Sequence, residues 1–405
     1  MLLKPKYWKA RLVLTVASIL TLTGLASAVP IIANHTAVEE FDDGLIPEHW
    51  IDQVKSRGIV FHLTGESHAQ QLVGDGDDAG GPGCIGGLEA LENLDSKYNV
   101  QVACDMDDLT ESNALRVVKG QYIGSSWKGG AYECRNEDEH YWTTPTGRQY
   151  TQNSIQQAAD QGDTIYASAW LWSWHVIKGY ASDELGNSGS FDDARRDDYF
   201  SYLADFNTNT VGTRVLYVTA VTDINTLPDP DYIGTKGWRA TRYNQDFRDE
   251  AIANDGVVFD QADIENWNYD NTEQRIDSWD GHTLYLRHED YDGSSCGHAT
   301  TELGIKKAKA LWWLAARLAG WPGVSGGECP GCLGLTGNVD GDPADIVDLG
   351  DLTALIDYLF ISFTPPVCIE EANIDGDLEG IIDLGDLTAL IDYLFISFTP
   401  PAPCP

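Results

Sequence analysis

Short β-rich apolar runs alternate with amphipathic stretches through the middle of this chain. Gly58 to Leu63, Thr164 to Trp172, Thr213 to Thr219 and Gly256 to Phe259 read as buried strands. Glu48 to Arg57, Leu88 to Leu94, Asp192 to Phe206, Tyr243 to Asn254 and Thr301 to Ala319 carry the spacing of helices. That order predicts an α/β fold with a mostly parallel sheet covered by helices on both faces, a three-layer arrangement. Sites in such sheets gather at the carboxyl ends of the strands. Two segments fall there. IVFHLTGESHAQQ puts Ser67 at a strand-to-helix turn, and DYDGSSCGHATTELG puts His298 just before the last long helix.

The two ends of the chain follow different patterns. Lys4, Lys6, Lys9 and Arg11 precede an apolar run from Leu12 to Leu25, and Ala26-Ser27-Ala28 offers small residues for cleavage. This is the pattern of a secretory signal peptide over residues 1 to 28, with a run too short to span a bilayer. No later stretch approaches 18 uninterrupted apolar residues. The expected mature protein is therefore secreted or cell-surface associated, without a transmembrane segment. At the other end, Asp348 to Pro366 reads DLGDLTALIDYLFISFTPP and recurs letter for letter from Asp383 to Pro401. A Gly/Pro/Cys-rich linker over 324–336 divides a main domain, 29–323, from this repeat module, 337–405.

Charge narrows the partners. Removing residues 1 to 28 deletes four positive and no negative charges, taking the formal net charge from -37 to -41. Such acidity argues against a nucleic-acid partner. From Leu333 to Pro405 there are 14 acidic residues and no Lys, Arg or His, so the module repels itself unless cations neutralise it. The oxygen-bearing residues are grouped: Asn338, Asp340, Asp342, Asp348 and Asp351, then Asn373, Asp375, Asp377, Asp383 and Asp386. Calcium takes six to eight oxygens, and a loop with ligands at alternate positions and a glycine at its turn supplies them. Two Ca2+ sites are expected, each followed by a helix whose Leu352, Leu355, Ile356 and Leu359, or their repeats, share a face.

These paired loop-helix repeats resemble the dockerin module, a small all-α domain. The resemblance implies calcium-dependent docking onto a cohesin-like receptor, which attaches enzymes to a surface or multi-enzyme assembly. One departure is visible: Asn338 to Asp351 and Asn373 to Asp386 each span fourteen residues, where a dockerin loop has twelve. Leu349-Gly350 and Leu384-Gly385 stand where dockerins carry partner-reading residues.

The main domain resembles, more distantly, the SGNH or GDSL hydrolases, which are esterases and deacylases on a flavodoxin-like sheet. Gly65-Glu66-Ser67 stands at the family's Gly-Asp-Ser block, and His298 with the following Ala299 to Gly304 stands at its histidine block. The resemblance implies a serine hydrolase with Ser67 as nucleophile, His298 as base and Asp292 as the orienting acid. Asp292 precedes His298 by six residues rather than three, so Asp290 and Glu289 compete for the role. Two further family blocks have no counterpart. The oxyanion donors implied are the backbone N–H of Ser67 and, around Trp170 to His175, the Ser173 hydroxyl or the Trp174 indole. A carbohydrate ester, as in polysaccharide breakdown, is the expected substrate, and no cofactor is expected in the main domain.

Other readings accompany these. Ser67 and His298 can serve as helix caps, and Trp170, Trp172 and Trp174 alternate like one face of a strand, either core or a sugar-stacking surface. Asp260, Asp263 and Glu265 gather at a strand end, where Asp263 and Glu265 could form a glycoside hydrolase pair. They could equally pair with Arg242 or Arg248 or cap a helix. A non-catalytic calcium-binding surface-assembly protein is the other alternative. Eight cysteines in an exported chain permit disulfides of open connectivity, and Cys329-x-x-Cys332 is better read as a disulfide than as half a zinc site.

Overall fold

A computed structural model describes residues 31–65, 67–74, 84–128, 145–172, 193–210, 212–222, 230–321, 323, 335–340, 346–361, 369–377 and 380–403. The strands are β1 (Ile32–Ala33), β2 (Val60–Gly65), β3 (Val100–Ala103), β4 (Leu115–Val118), β5 (Gln121–Tyr122), β6 (Trp127–Lys128), β7 (Ile165–Leu171), β8 (Arg214–Val215), β9 (Tyr217–Val218), β10 (Val258–Phe259), β11 (Ile276–Trp279) and β12 (His282–Tyr285). The main-domain helices are α1 (His35–Asp42), α2 (Glu48–Ser56), α3 (Gln70–Val73), α4 (Gly87–Leu94), α5 (Pro145–Asp160), α6 (Asp193–Asn209), α7 (Pro230–Ala253), α8 (Gln261–Asn266) and α9 (Thr301–Ala319).

One parallel sheet runs β3-β4-β2-β7-β8, and a second parallel set runs β9-β10-β1. Only Leu216 separates β8 from β9. Its N–H bonds to Ser168 O at 2.9 Å, and the next N–H, from Tyr217, turns to Val257 O at 2.9 Å. The strand passing through 214–218 thus pairs first with β7 and then with β10. All six residues of β2 are buried, as a central strand covered on both faces must be. The cover is helical, and α9 packs against α1, α2, α3 and α4. Fourteen of its 19 residues are buried, and Gly320, left-handed at φ +114°, ends it. The expected α/β class with parallel sheets is what the structure has.

The four expected strands all form, though Gly256 to Phe259 contracts to β10 and Gly58 to Leu63 moves two residues on, to β2. Tyr243 to Asn254 is the end of a helix that begins at Pro230. The sequence reading missed β1, β3, β4, β5, β6, β11, β12, α1, α5 and α8. Strands of two to four residues are too short to display a period, and their identity comes from their neighbours in the sheet. Trp170 and Trp172 are core: the latter is 1% exposed and meets Tyr199, Tyr243 and Phe247 edge-on. Among the described residues no helix is long and apolar enough to cross a membrane.

In the tail, α10 (Leu349–Ile356) and α11 (Leu384–Ile391) each run on into a wider π-type turn, Asp357–Ile361 and Asp392–Ile396. Val339, Leu355, Ala372, Ile374 and Leu390 make a small core of their own. The tail is clasped at its ends, where Thr336 N donates to Ala402 O at 2.8 Å and Ala402 N to Ile374 O at 3.0 Å.

His62 lies inside β2, fully buried, with Nδ1 2.9 Å from Ser168 Oγ and Nε2 2.9 Å from Gly120 O. A carbonyl can only accept, so Nε2 carries the proton and Nδ1 accepts from the hydroxyl. Burial pushes the ring's pKa down to about 4, against a smaller upward pull from the Gly120 bond. In the unfolded chain the ring titrates near its ordinary 6.5. As pH falls from 6.5 towards 4 the unfolded state therefore binds a proton that the fold refuses, and stability drops, by roughly 3 kcal/mol at full extent. Urea midpoints measured across that window should fall more steeply in the native protein than in His62→Gln; equal slopes would remove His62 as the cause.

Candidate functional site

The carboxyl end of β2 is pressed against the end of β7. A Cβ at Gly65 would collide with Leu171 O and lie 3.1 Å from Ala69 Cβ, so the strand can end here only in glycine. The chain then turns through the helical segment Ser67–Ala69 into α3. Ser67 thus stands where the sequence put it, first in a turn whose leading N–H groups have no partner within the helix. Glu66 and the Ser67 side chain lie outside the described residues, as do Ser173 and Trp174.

His298 comes to this turn from the far end of the domain. Its ring centroid is 5.2 Å from that of buried His68, the residue after Ser67, at an interplanar angle of 38°. Ala299 N donates to Cys296 O at 3.2 Å, closing a tight turn with Gly297 at φ +55° and His298 at φ +65°. Left-handed geometry at both central residues is what a type I′ turn requires. At His298, a residue with a Cβ, that geometry costs on the order of 1 kcal/mol and persists only where contacts impose it.

Three ties impose it. Cys296 is disulfide-bonded to Cys84. Gln71 Nε2 donates to Gly297 O at 2.6 Å, and Arg287 Nη1 donates to His298 O at 2.9 Å. Arg287, itself 1% exposed, also donates from Nη2 to Asp292 Oδ1 at 3.1 Å. Asp292 therefore reaches His298 through Arg287 and the backbone. Glu289 lies 3.6 Å from Arg275, and Asp290 lies 3.5 Å from His288, whose Nδ1 also accepts from Asp290 N.

The rival carboxylates are engaged elsewhere. Asp260 takes two bonds from Arg248, at 2.6 and 2.8 Å, and caps α8 by accepting from Asp263 N. Asp263 pairs with His35; burial raises its pKa, but the His35 contacts more than reverse this and hold the carboxyl below its ordinary range. Glu265 is 0% exposed and ion-paired to Lys307 Nζ at 2.6 Å. Sequence reasoning named Arg248 as a partner and missed His35 and Lys307, which lie 228 and 42 residues away from their carboxylates.

In the tail the two repeats superpose in their bonding. Asp351 is buried at the start of α10, with Oδ1 accepting from Asp340 N at 3.0 Å and Oδ2 from Asp348 N at 2.6 Å. Asp386 does the same with Asp375 N at 3.2 Å and Asp383 N at 2.8 Å. A Cβ at Gly350 would collide with Asp340 Oδ2 and lie 3.1 Å from Asp348 Oδ1, so these two carboxylates converge over one glycine. Asp375 and Asp383 converge likewise over Gly385. Burial first, then the neighbouring carboxylate charges, push Asp351 and Asp386 above the ordinary carboxylate range. Converging like charges with no base in the module fit a hard divalent cation. Asn338 is buried and Asn373 half-buried; Asp342 lies outside the described residues. Among the described residues no three His, Cys, Asp or Glu side chains form a group close enough to hold a metal.

How near His298 can come to Ser67 is set by a glycine contact. A Cβ at Gly304, in the first turn of α9, would collide with Gln71 O and lie 3.1 Å from Gly87 Cα in α4. Gly304→Ala should therefore lower unfolding stability by about 1–3 kcal/mol through forced separation of α9 from α3 and α4. Chemical denaturation of the purified variant measures this, and an unchanged midpoint would mean that the helices separate without cost. No protein-family model, curated protein or solved structure matches this chain, so its function is inferred from its own residues and their geometry.

Proposed function

We propose that the chain is an exported serine hydrolase of ester bonds, with an SGNH-like flavodoxin-type main domain and a calcium-dependent, dockerin-like all-α tail. The observation that carries the catalytic half is the 5.2 Å approach of His298 to His68 at the carboxyl end of central strand β2, beside Ser67. The two residues belong to segments 230 positions apart in the chain. An exposed histidine held in a left-handed turn next to a serine-headed helical turn is a costly arrangement to maintain for packing alone.

In this reading Ser67 Oγ attacks the ester carbonyl while His298 accepts its proton. The tetrahedral oxyanion is met by the Ser67 N–H, with Ser173 as the second donor. Collapse expels the alcohol, which takes the proton back from His298. Water, deprotonated by the same ring, then releases the acid and frees Ser67. Asp292 contributes through Arg287: the salt bridge holds the guanidinium that grips the His298 carbonyl. A carbohydrate ester is the proposed substrate.

The tail supplies attachment. Asn338, Asp340, Asp342, Asp348 and Asp351, and Asn373, Asp375, Asp377, Asp383 and Asp386, would hold one calcium ion each, and the ion's chemistry is neutralisation of the clustered carboxylates. Leu349 and Leu384, 61% and 62% exposed at equivalent positions, give the tail two matching apolar contacts for a cohesin-like receptor. The leader over residues 1 to 28, outside the described residues, accounts for export.

Hydrolysis of an aryl acetate by the full chain tests the first half: Ser67→Ala and His298→Ala should each lose about 10³-fold or more in kcat/KM with the fold retained. Equal activity in Ser67→Ala would end the hydrolase reading. Chelation tests the second half separately. EDTA should unfold the tail, and calcium should restore it, without altering ester turnover; a tail equally folded in EDTA would end the calcium reading.

A further inference from the structure

Beneath the His68–His298 contact lies a buried polar network that neither partner of the proposed reaction uses. Lys307, 1% exposed on α9, has its Nζ 2.6 Å from Gln71 Oε1, 2.6 Å from Glu265 Oε1 and 3.3 Å from Gln261 Oε1. An ammonium has three protons and no lone pair, so three acceptors satisfy it completely. Each acceptor is anchored in turn. Glu265 Oε2 accepts from Thr222 N at 3.1 Å, and Gln261 Nε2 donates to Thr219 O at 2.7 Å, both just beyond the end of β9.

The third acceptor faces the site. Because Lys307 can only donate, Gln71 must present Oε1 to it, and the amide's NH2 is thereby turned towards Gly297 O, 2.6 Å away. Gln71 lies four residues after Ser67, and Gly297 immediately precedes His298. The bond therefore joins the serine segment directly to the histidine turn. A buried ion pair is weak evidence of a contribution to stability, since apolar residues of similar volume often serve as well. Its directional demand on a neighbouring amide is something no apolar pair supplies.

We propose that the Lys307–Glu265 pair, acting through the fixed amide of Gln71, positions the His298 turn against the Ser67 turn. Gln71, Lys307 and Glu265 are positioning residues. Their proposed consequence for turnover rests on the hydrolase reading, whereas their effect on the His298 ring does not.

The test uses the full chain with calcium present. Lys307→Met leaves Glu265 buried and unpaired and invites unfolding, so the informative variants are Gln71→Leu, which removes only the link, and the double variant Lys307→Met with Glu265→Leu, which removes both charges together. Two readouts are taken: kcat and KM on an aryl acetate, and the nuclear Overhauser effect between the His68 and His298 rings. In both variants the expected result is a folded protein with the Overhauser effect abolished or weakened, kcat reduced about 10- to 100-fold and KM within about twofold. A folded Gln71→Leu with the Overhauser effect and kcat both unchanged would overturn the proposal, and so would a fall in kcat with the Overhauser effect undiminished. If the native protein turns over no ester while the Overhauser effect still disappears in Gln71→Leu, the hydrolase reading falls and the positioning role stands.

Discussion

The architecture around the site depends on backbone-to-backbone contact between helices. Gly304 in α9 meets Gly87 in α4 and the Gln71 carbonyl at distances that admit no side chain. Helix axes usually stand 8–10 Å apart because side chains keep them so. Here glycine on both sides removes that spacer, and the start of α9 settles against the turn that follows β2. The histidine three residues before α9 is thereby delivered to the turn that holds the serine two residues after β2. The disulfide Cys84–Cys296 ties the histidine turn covalently to the residues just before α4, which restricts their separation in the unfolded chain as well.

Charge is handled in opposite ways in the two modules. The main domain buries cations among oxygen partners: Lys307 with Glu265 and two amide oxygens, Lys306 with Trp267 O, Asn268 O and the Tyr291 hydroxyl, Arg287 with Asp292 and a carbonyl. Burial pushes the Lys306 ammonium down to about 7, against a smaller upward pull from the Asp263 carboxylate. The tail contains no base at all, and its Asp351 and Asp386 carboxylates accept from backbone N–H groups. Those bonds satisfy Asp351 and Asp386 but leave Asp340 facing Asp348, and Asp375 facing Asp383, across a glycine.

Much of the secondary structure is legible in the chain. Thr301 to Ala319 is legible in its sequence, because a long amphipathic pattern that ends at a glycine stop leaves little freedom. The starts of α10 and α11 are equally legible: Asp348 and Asp383 cap their helices, and Asp351 and Asp386 complete the reciprocal bonds. Strand β1, two residues long, has almost no local signature, and of the strand expected from Gly256 to Phe259 only Val258 and Phe259 form β10. They exist because Val258 and Phe259 find partners on both sides in a sheet assembled from distant segments.

By itself the sequence determined the alternating order that makes a parallel α/β sheet, the doubled acidic loops, and the placing of Ser67 after a strand and His298 before a helix. These follow from local period and local capping, which a short window of residues contains. Only the tertiary structure decided that Asp263 met His35 and Glu265 met Lys307, which cysteine met Cys296, and that Gln71 and Lys307 stood under the histidine turn. Those outcomes depend on pairings across 40 to more than 200 residues. No local preference encodes them, because a buried charge takes the partner that the closed fold brings within 3 Å.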